Sequence, residues 1–272
     1  MHRPIRWAVA AIVSLGFSGL GDAMAADMAV KAVRAPIVSP EYNWSGFYIG
    51  ADAGGAWIRG DAYTSFIEPG NIVGGFSALN QSRRLESSGF IGGVYAGYNW
   101  QVTKWVVGIE GDISGIANSN TTATAPNLSR AGALLAGGFV FNRSQDWLST
   151  VRGRVGYLVA PNVLLYATGG VAFGENHYAA SYTESNGGVW QTDIRKTSVG
   201  YAVGGGGEWM VSQNWLLRAE YLYANLPGAS NTVTSPSFAA IFVVPFNWDR
   251  TEYHIARVGI AYKFGGPVVA KY

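Results

Sequence analysis

The sequence predicts an all-β chain, an eight-stranded up-and-down antiparallel transmembrane β-barrel, and three observations carry that reading. Apolar and polar residues alternate with period two in eight segments from Trp44 onward. The connections between them are alternately short and long, as in outer-membrane barrels with tight turns at one end and long loops at the other. Aromatic residues recur ten positions apart on the same strand face. Ten residues at ~3.3 Å, tilted by about 40°, cover roughly 25 Å of membrane normal.

The N-terminus comes first. Arg3 and Arg6 precede the apolar stretch "WAVAAIVSLGFSGL" (7–20), and "AMA" (23–25) supplies small residues at a cleavage position. This pattern predicts an export signal over 1–25, cut at Ala25–Ala26. Residues 26–43 lack a clear period, carry Pro36 and Pro40, and are expected to form a periplasmic linker. Residues 44–272 are then the barrel and a C-terminal tail. Its strands are expected at 44–58, 88–101, 105–116, 147–160, 163–175, 197–211, 215–226 and 252–264. No later run of ~18 uninterrupted apolar residues exists, so no spanning helix is expected.

The tight turns fall around Val102-Thr103, Ala160-Pro161-Asn162 and Ser212-Gln213-Asn214. Three-residue hairpin loops end in an αL residue, and Asn162 and Asn214 stand at that position. A three-residue third turn sets Glu208 opposite Arg218. The second turn sets Arg152 opposite Gly170 and Arg154 opposite Thr168. The long connections, such as 118–132, are expected to be irregular loops of mixed charge, carrying Arg59, Asp61, Glu68, Arg130, Arg143, Glu184, Asp193 and Arg195.

Aromatic residues choose the outward face. Phe47 and Trp57, Phe90 and Trp100, and Trp147 and Tyr157 each stand ten residues apart. Trp105, Trp209 and Trp215 add to a girdle beside the short turns, where amphipathic rings meet headgroups. The opposite face explains "TVRGRVGYL" (150–158). A strand sends Arg152 and Arg154 to one side and the valines to the other. Facing lipid near the midplane, each arginine would cost ~2–4 kcal/mol. The lumen set is therefore Asp52, Glu110, Asp112, Arg152, Arg154, Glu208, Arg218, Glu220, Arg257 and Lys263, five acids and five bases, with Tyr48, Tyr95 and Tyr166. Register pairs Glu208 with Arg218, and strand adjacency pairs Glu110 and Asp112 with Arg152 and Arg154.

Composition agrees. Charged residues make up 13% of the chain, against about 25% in soluble domains. A net charge of +2 gives no basic field, so no nucleic-acid partner is expected. The absence of cysteine excludes disulfides and thiol catalysis. The glycines at 204–207 lie mid-strand, form no phosphate-loop pattern, and make room for lumen side chains. His177 and His254 stand where strands meet long connections, with no serine or carboxylate at a diagnostic spacing. No enzyme activity, metal or cofactor is expected.

"NWSGFYIGADAGGAW" (43–57), "GGVYAGYNWQ" (92–101), "VVGIEGDISG" (106–115) and "RVGYLVAPNVLLYATGGVAFG" (154–174) resemble the alphaproteobacterial outer-membrane family labelled porin-like or outer-membrane immunogenic proteins, as do "EYLY" (220–223), "RVGIAYKF" (257–264) and "GGPVVAKY" (265–272). The resemblance covers 44–272. It implies a barrel related to opacity-type and small OmpA-like barrels, with surface-exposed loops and no catalytic motif. It also implies a terminal aromatic read by the barrel-assembly machinery. Phe264 and Tyr272 are the candidates, and Pro267 favours Phe264 as the strand's anchor. The expected protein is a monomer in outer-membrane lipid with periplasmic termini. Its role would be structural, with loops available to an extracellular ligand and a lumen plugged by salt bridges. A small-solute porin is the alternative, and a barrel enzyme the third reading.

Overall fold

The computed structural model describes residues 42–64, 81–128, 133–184, 187–234 and 243–265, all within one compact unit, Pro40–Tyr272. The export signal, most of the linker, Glu68, Arg130 and the tail with Pro267 and Tyr272 lie outside the described residues.

Among the described residues eleven strands follow in order: β1 (Gly46–Thr64), β2 (Gln81–Val102), β3 (Trp105–Ala117), β4 (Thr121–Leu128), β5 (Leu134–Ala160), β6 (Val163–Thr183), β7 (Val189–Met210), β8 (Trp215–Leu226), β9 (Ala229–Thr234), β10 (Val243–Trp248) and β11 (Thr251–Lys263). Eight of them, β1-β2-β3-β5-β6-β7-β8-β11, form an antiparallel ring. It closes where β1 pairs with β11, from Tyr48↔Lys263 to Arg59↔Glu252. Closure leaves no open sheet edge in lipid, where an unpaired backbone group would cost several kcal/mol.

Period-two alternation is read directly in burial. Along β1, Tyr48, Asp52, Ala56 and Ile58 are buried, whereas Phe47, Ile49 and Trp57 are exposed. Phe47, Trp100, Trp105, Tyr157, Trp209, Trp215 and Phe264 are all exposed at the turn end of the ring. Trp57 and Phe90 are exposed ten residues further along. Trp147 is half-buried, and its indole donates to Glu175 Oε2 at 3.4 Å. Between these levels the outward positions are apolar or small, such as Val94, Ile109, Val151, Val203 and Val258.

The turns reproduce the expected registers but not the expected turn conformations. Arg152 lies opposite Gly170, Arg154 opposite Thr168 and Glu208 opposite Arg218. The positive-φ residue among the tight turns is Thr103, at +55°; Asn162 and Asn214 do not adopt αL. The asparagines act through hydrogen bonds instead. Asn214 Nδ2 donates to Lys263 O at 2.8 Å, tying the third turn to the closing strand. Asn162 O accepts from Met210 N at 2.9 Å. At the second turn, Ala160 pairs with Val163, and a register shift between Leu158 and Ala160 absorbs the extra residue.

The strands are longer than the period predicted. β5 runs for 27 residues, whereas about 9–11 cross a membrane. The connection 118–132 is not an irregular loop, because β4 occupies part of it and pairs with β5. Arg59 and Asp61 lie in β1, Arg143 in β5, and Asp193 and Arg195 in β7. Beyond the Trp57 level the sheet continues as a tower. Asn118 (φ +58°) breaks β3 from β4, β9 pairs with β10, and β10 pairs with the end of β1. Two seams, β2 against β4 and β7 against β9, carry no backbone ladder. Side chains bridge them: Arg83 Nε donates to Thr124 O at 2.8 Å, and Asn231 Nδ2 to Thr192 Oγ1 at 2.7 Å.

Candidate functional site: a layered lumen

Each strand of the membrane ring sends at least one polar side chain to the barrel axis at one level: Asp52 from β1, Tyr95 from β2, Glu110 and Asp112 from β3, Arg152 and Arg154 from β5, Tyr166 from β6, Glu208 from β7, Arg218 and Glu220 from β8, and Arg257 from β11. Inward glycines leave space for them. A Cβ on Gly50 would stand 2.5 Å from Cζ of Tyr95, and one on Gly170 would stand 2.7 Å from Cα of Arg152.

The charges form one connected network. Arg152 meets Glu110 (2.8 Å), Asp112 (3.0 Å) and Glu220 (3.1 Å). Arg257 meets Glu220 (2.6 Å), Asp52 (3.2 Å) and Asp112 (3.4 Å). Arg218 meets Glu110 (2.8 Å) and Asp52 (2.9 Å). Arg154 meets Glu208 (2.8 Å) and Glu110 (3.4 Å). The Tyr48 hydroxyl donates to Glu110 and the Tyr166 hydroxyl to Glu220, both at 2.8 Å, and Thr150 donates to Asp112. The Arg218 guanidinium lies 3.4 Å from the Tyr95 ring centroid, and that of Arg154 lies 4.1 Å from Tyr166. No paired side chain is more than 3% exposed, so the network has neither bulk water nor lipid as a neighbour.

Two expectations are corrected here. Glu208 and Arg218 are opposite in register, yet Glu208 pairs with Arg154 and Arg218 reaches Asp52 and Glu110. Long guanidinium side chains span the narrow lumen, and the Tyr95 face holds Arg218 toward β1 and β3 rather than beside its ladder neighbour. Lys263 is inward and buried but joins no ion pair among the described residues. It lies opposite Tyr48, near the turn end. Four guanidinium groups, not five bases, make up the network's positive side.

Apolar layers flank the network. Toward the turns, Trp44, Val106, Leu158, Leu164, Met210 and Leu216 pack around Tyr48 and Tyr95. Trp44 is fully buried and its indole donates to Pro161 O at 3.1 Å. Toward the tower, Ile58, Ile91, Leu148, Leu222, Tyr253 and Ile255 form a second layer. The tower itself is filled by Phe139, Phe141, Tyr178, Tyr182, Trp190, Phe246 and Trp248. Within it Arg143 is buried and donates to Leu85 O (3.0 Å) and Thr251 Oγ1 (3.4 Å). Burial holds that guanidinium below its ordinary range. Burial, reinforced by Glu184, pushes the Tyr182 hydroxyl up to about 12.

The expected strands leave this aromatic core in the long connections, although Phe139/Phe141, Tyr178/Ala180/Tyr182 and Val244/Phe246/Trp248 each alternate with period two. The histidines stay apart: His177 bonds Asp193 at 2.6 Å, and His254 bonds the Tyr221 hydroxyl at 2.6 Å. No cluster of metal-ligating side chains exists among the described residues.

Comparison with known proteins agrees with this architecture. The family model described as outer membrane protein beta-barrel domain matches residues 14–264. The chain is 33% identical over 247 residues to the 31 kDa outer-membrane immunogenic protein of Brucella melitensis biotype 1, covering 89% of this chain and 94% of that protein. It is 32% identical over 208 residues to the 22 kDa outer membrane protein of Rhizobium leguminosarum bv. viciae, covering 76% of each. The crystal structure of outer membrane protein OprG from Pseudomonas aeruginosa superposes with a TM-score of 0.49 at 16% identity, over 84% of this chain and all of that one. The family match over nearly the whole barrel, with relatives above 30% identity, places this chain in the outer membrane protein β-barrel domain family, integral to the outer membrane of a Gram-negative bacterium.

Proposed function

We propose that the protein is a closed structural barrel of the envelope, a monomer and not an enzyme, whose tower presents a surface for extracellular contacts while nothing flows through the lumen. The connected network of Arg152, Arg154, Arg218 and Arg257 with five carboxylates carries this reading. Eight strands leave an interior that side chains can fill, whereas open porins use roughly 16–18. In this barrel the filling is layered, with apolar packing on both sides of the ions. A planar-bilayer recording of the refolded protein should therefore show no large, stable single-channel steps. Steady conductance typical of a wide porin would overturn the proposal and favour a small-solute pore.

Orientation follows from the same architecture. Short turns at one end and a long tower at the other support a tower outside and termini in the periplasm. A protease added to intact cells should cut within 118–132 and spare 212–214. Cleavage confined to the short turns would reverse the orientation.

Phe264 supports a role in assembly. Its N–H donates to Phe47 O at 2.8 Å, its ring lies 5.6 Å from that of Phe47, and Gly265 then turns to φ +110°. Phe264 is thus the last aromatic held on the closing seam among the described residues. Phe264→Ala should leave less folded protein in outer-membrane fractions than deletion of 267–272, measured by heat-dependent gel mobility. The opposite ranking would assign the assembly signal to the tail.

A further inference from the structure

The buried arginines divide into two groups. Arg152, Arg154, Arg218 and Arg257 lie among carboxylates in the lumen network. Arg143, at the base of the tower, is 4% exposed and forms no ion pair among the described residues. Its hydrogen bonds go to two neutral acceptors, Leu85 O at 3.0 Å and Thr251 Oγ1 at 3.4 Å. Asp61 acts on it only from a distance, from the outward face of β1. A buried lysine escapes such a position by shedding its proton, but a guanidinium keeps its charge. A buried charge that cannot be neutralised calls for a counter-charge.

Around Arg143, donors outnumber acceptors. Tyr178 stands opposite it in the β5–β6 ladder. The Tyr178 hydroxyl lies beside Thr251, but not in hydrogen-bond geometry with it or with any other described residue. The Tyr178 ring is 5.1 Å from that of Trp248, whose buried indole N–H is also unpaired. Trp248 pairs with Ala62, two residues along the inward face of β1 from Gly60, and a Cβ on Gly60 would collide with Arg143 Nη1. One level away, Asn176 Nδ2 and Gln145 Oε1 are both unpaired and opposite in register, so donor and acceptor balance there. Arg143, Tyr178 and Trp248 have no such balance. Guanidinium and indole can only donate. A water would accept from them but would bring two protons that need acceptors of their own, whereas an anion only accepts.

We propose that the base of the tower binds one small monovalent anion, a halide, between the Arg143 guanidinium, the Tyr178 hydroxyl and the Trp248 indole N–H. One cation calls for one negative charge, and enclosure by the aromatic core around Phe141 and Phe246 favours a halide over a larger oxyanion. The ion ties β5 and β6 to β10, strands on opposite sides of the two seams that lack a backbone ladder. Tower stability thereby becomes a function of halide concentration. The site lies within the tower, so it holds whichever side of the membrane the tower faces.

Limited proteolysis of the refolded full chain in detergent, at a temperature where the tower opens, tests the proposal. Sodium chloride and sodium bromide are the probes, with sodium gluconate at equal ionic strength as control. Cleavage within 134–145 and 176–183 should slow saturably with halide, about tenfold once halide is about ten times its Kd. The heat-dependent gel mobility of the membrane ring should keep its midpoint. Tyr178→Phe and Trp248→Phe each remove one donor and keep an aromatic ring, so each should need several-fold more halide for the same protection. Arg143→Met should lose the halide response, and Asp61→Asn should keep it. A crystal grown in bromide should show an anomalous peak among the three side chains. If Arg143→Met does not fold, the two conservative variants and the bromide peak decide. An equal response in gluconate, or one that never saturates and persists in Arg143→Met, would be a general salt effect and would overturn the proposal. Absence of a halide response, with a tower weakened by Asp61→Asn, would assign the counter-charge to Asp61 and overturn it as well.

Discussion

Replacing Arg218 by alanine is expected to destabilise the barrel by ~3–5 kcal/mol, the cost of leaving buried carboxylates without their partner. Arg218 is fixed on three sides, by Asp52 at 2.9 Å, by Glu110 at 2.8 Å and by the Tyr95 ring. Its loss removes two close ion pairs and leaves Asp52 dependent on Arg257 at 3.2 Å. The geometry also says which second change should help. Glu110 Oε2 accepts from Arg218 and Glu110 otherwise keeps Arg152 and Arg154, so Glu110→Gln should recover part of the loss by lowering the excess of negative charge around those two arginines. Glu208→Gln should not, because Glu208 serves Arg154. Tm in detergent, followed by circular dichroism and by gel mobility, measures all four proteins. A loss below ~1 kcal/mol, or rescue by Glu208→Gln alone, would show that the network does not act as these contacts require.

That choice of partner marks the limit of what the sequence could say. Backbone register is a local property, and three-residue turns were enough to set Glu208 opposite Arg218 and Arg152 opposite Gly170. Side-chain pairing across a lumen depends on reach and on competing neighbours from strands far apart in sequence. Arg218 and Asp52 are separated by 166 positions. The face of every lumen charge was legible, because a period of two leaves each strand only two choices. Lys263 was legible in its face but was grouped with the network, although it ends β11 opposite Tyr48, on the turn side of the charged level.

The tower was hidden for a different reason. Outside the apolar band, the outward face of a strand meets water, so the lipid-facing run of apolar residues ends. What remains is polar alternation, as in "TTATAPNL" of β4, which reads as loop when the search is for a membrane strand. The aromatic partners were present, but they point inward there. In the band, aromatic side chains mark the outer surface; in the tower they make the core. The same residue type therefore changes face along one chain, and β1 shows it through Trp57 outward and, one strand away in the tower, Phe246 and Trp248 inward.

This change of solvent leads to the second large effect. Within the band, apolar burial gains little against lipid, and the interior relies on paired charges. In the tower, water is the alternative, and packing has its full worth. Phe141 is fully buried there, with Phe139 stacked at 6.3 Å and Phe246 edge-on at 6.1 Å. Phe141→Ala should cost ~3–5 kcal/mol of tower stability. The seams at β2/β4 and β7/β9 have side-chain bridges and no ladder, so the aromatic core is what keeps those strands together. The variant should be cut by protease within 134–145 and 176–183 at temperatures where the wild type resists, while the gel mobility of the membrane ring stays heat-dependent with an unchanged midpoint. If ring and tower instead lose stability by the same amount, they form one cooperative unit, and the two interiors are coupled through the apolar layer at Ile58, Leu222 and Tyr253 that lies between them.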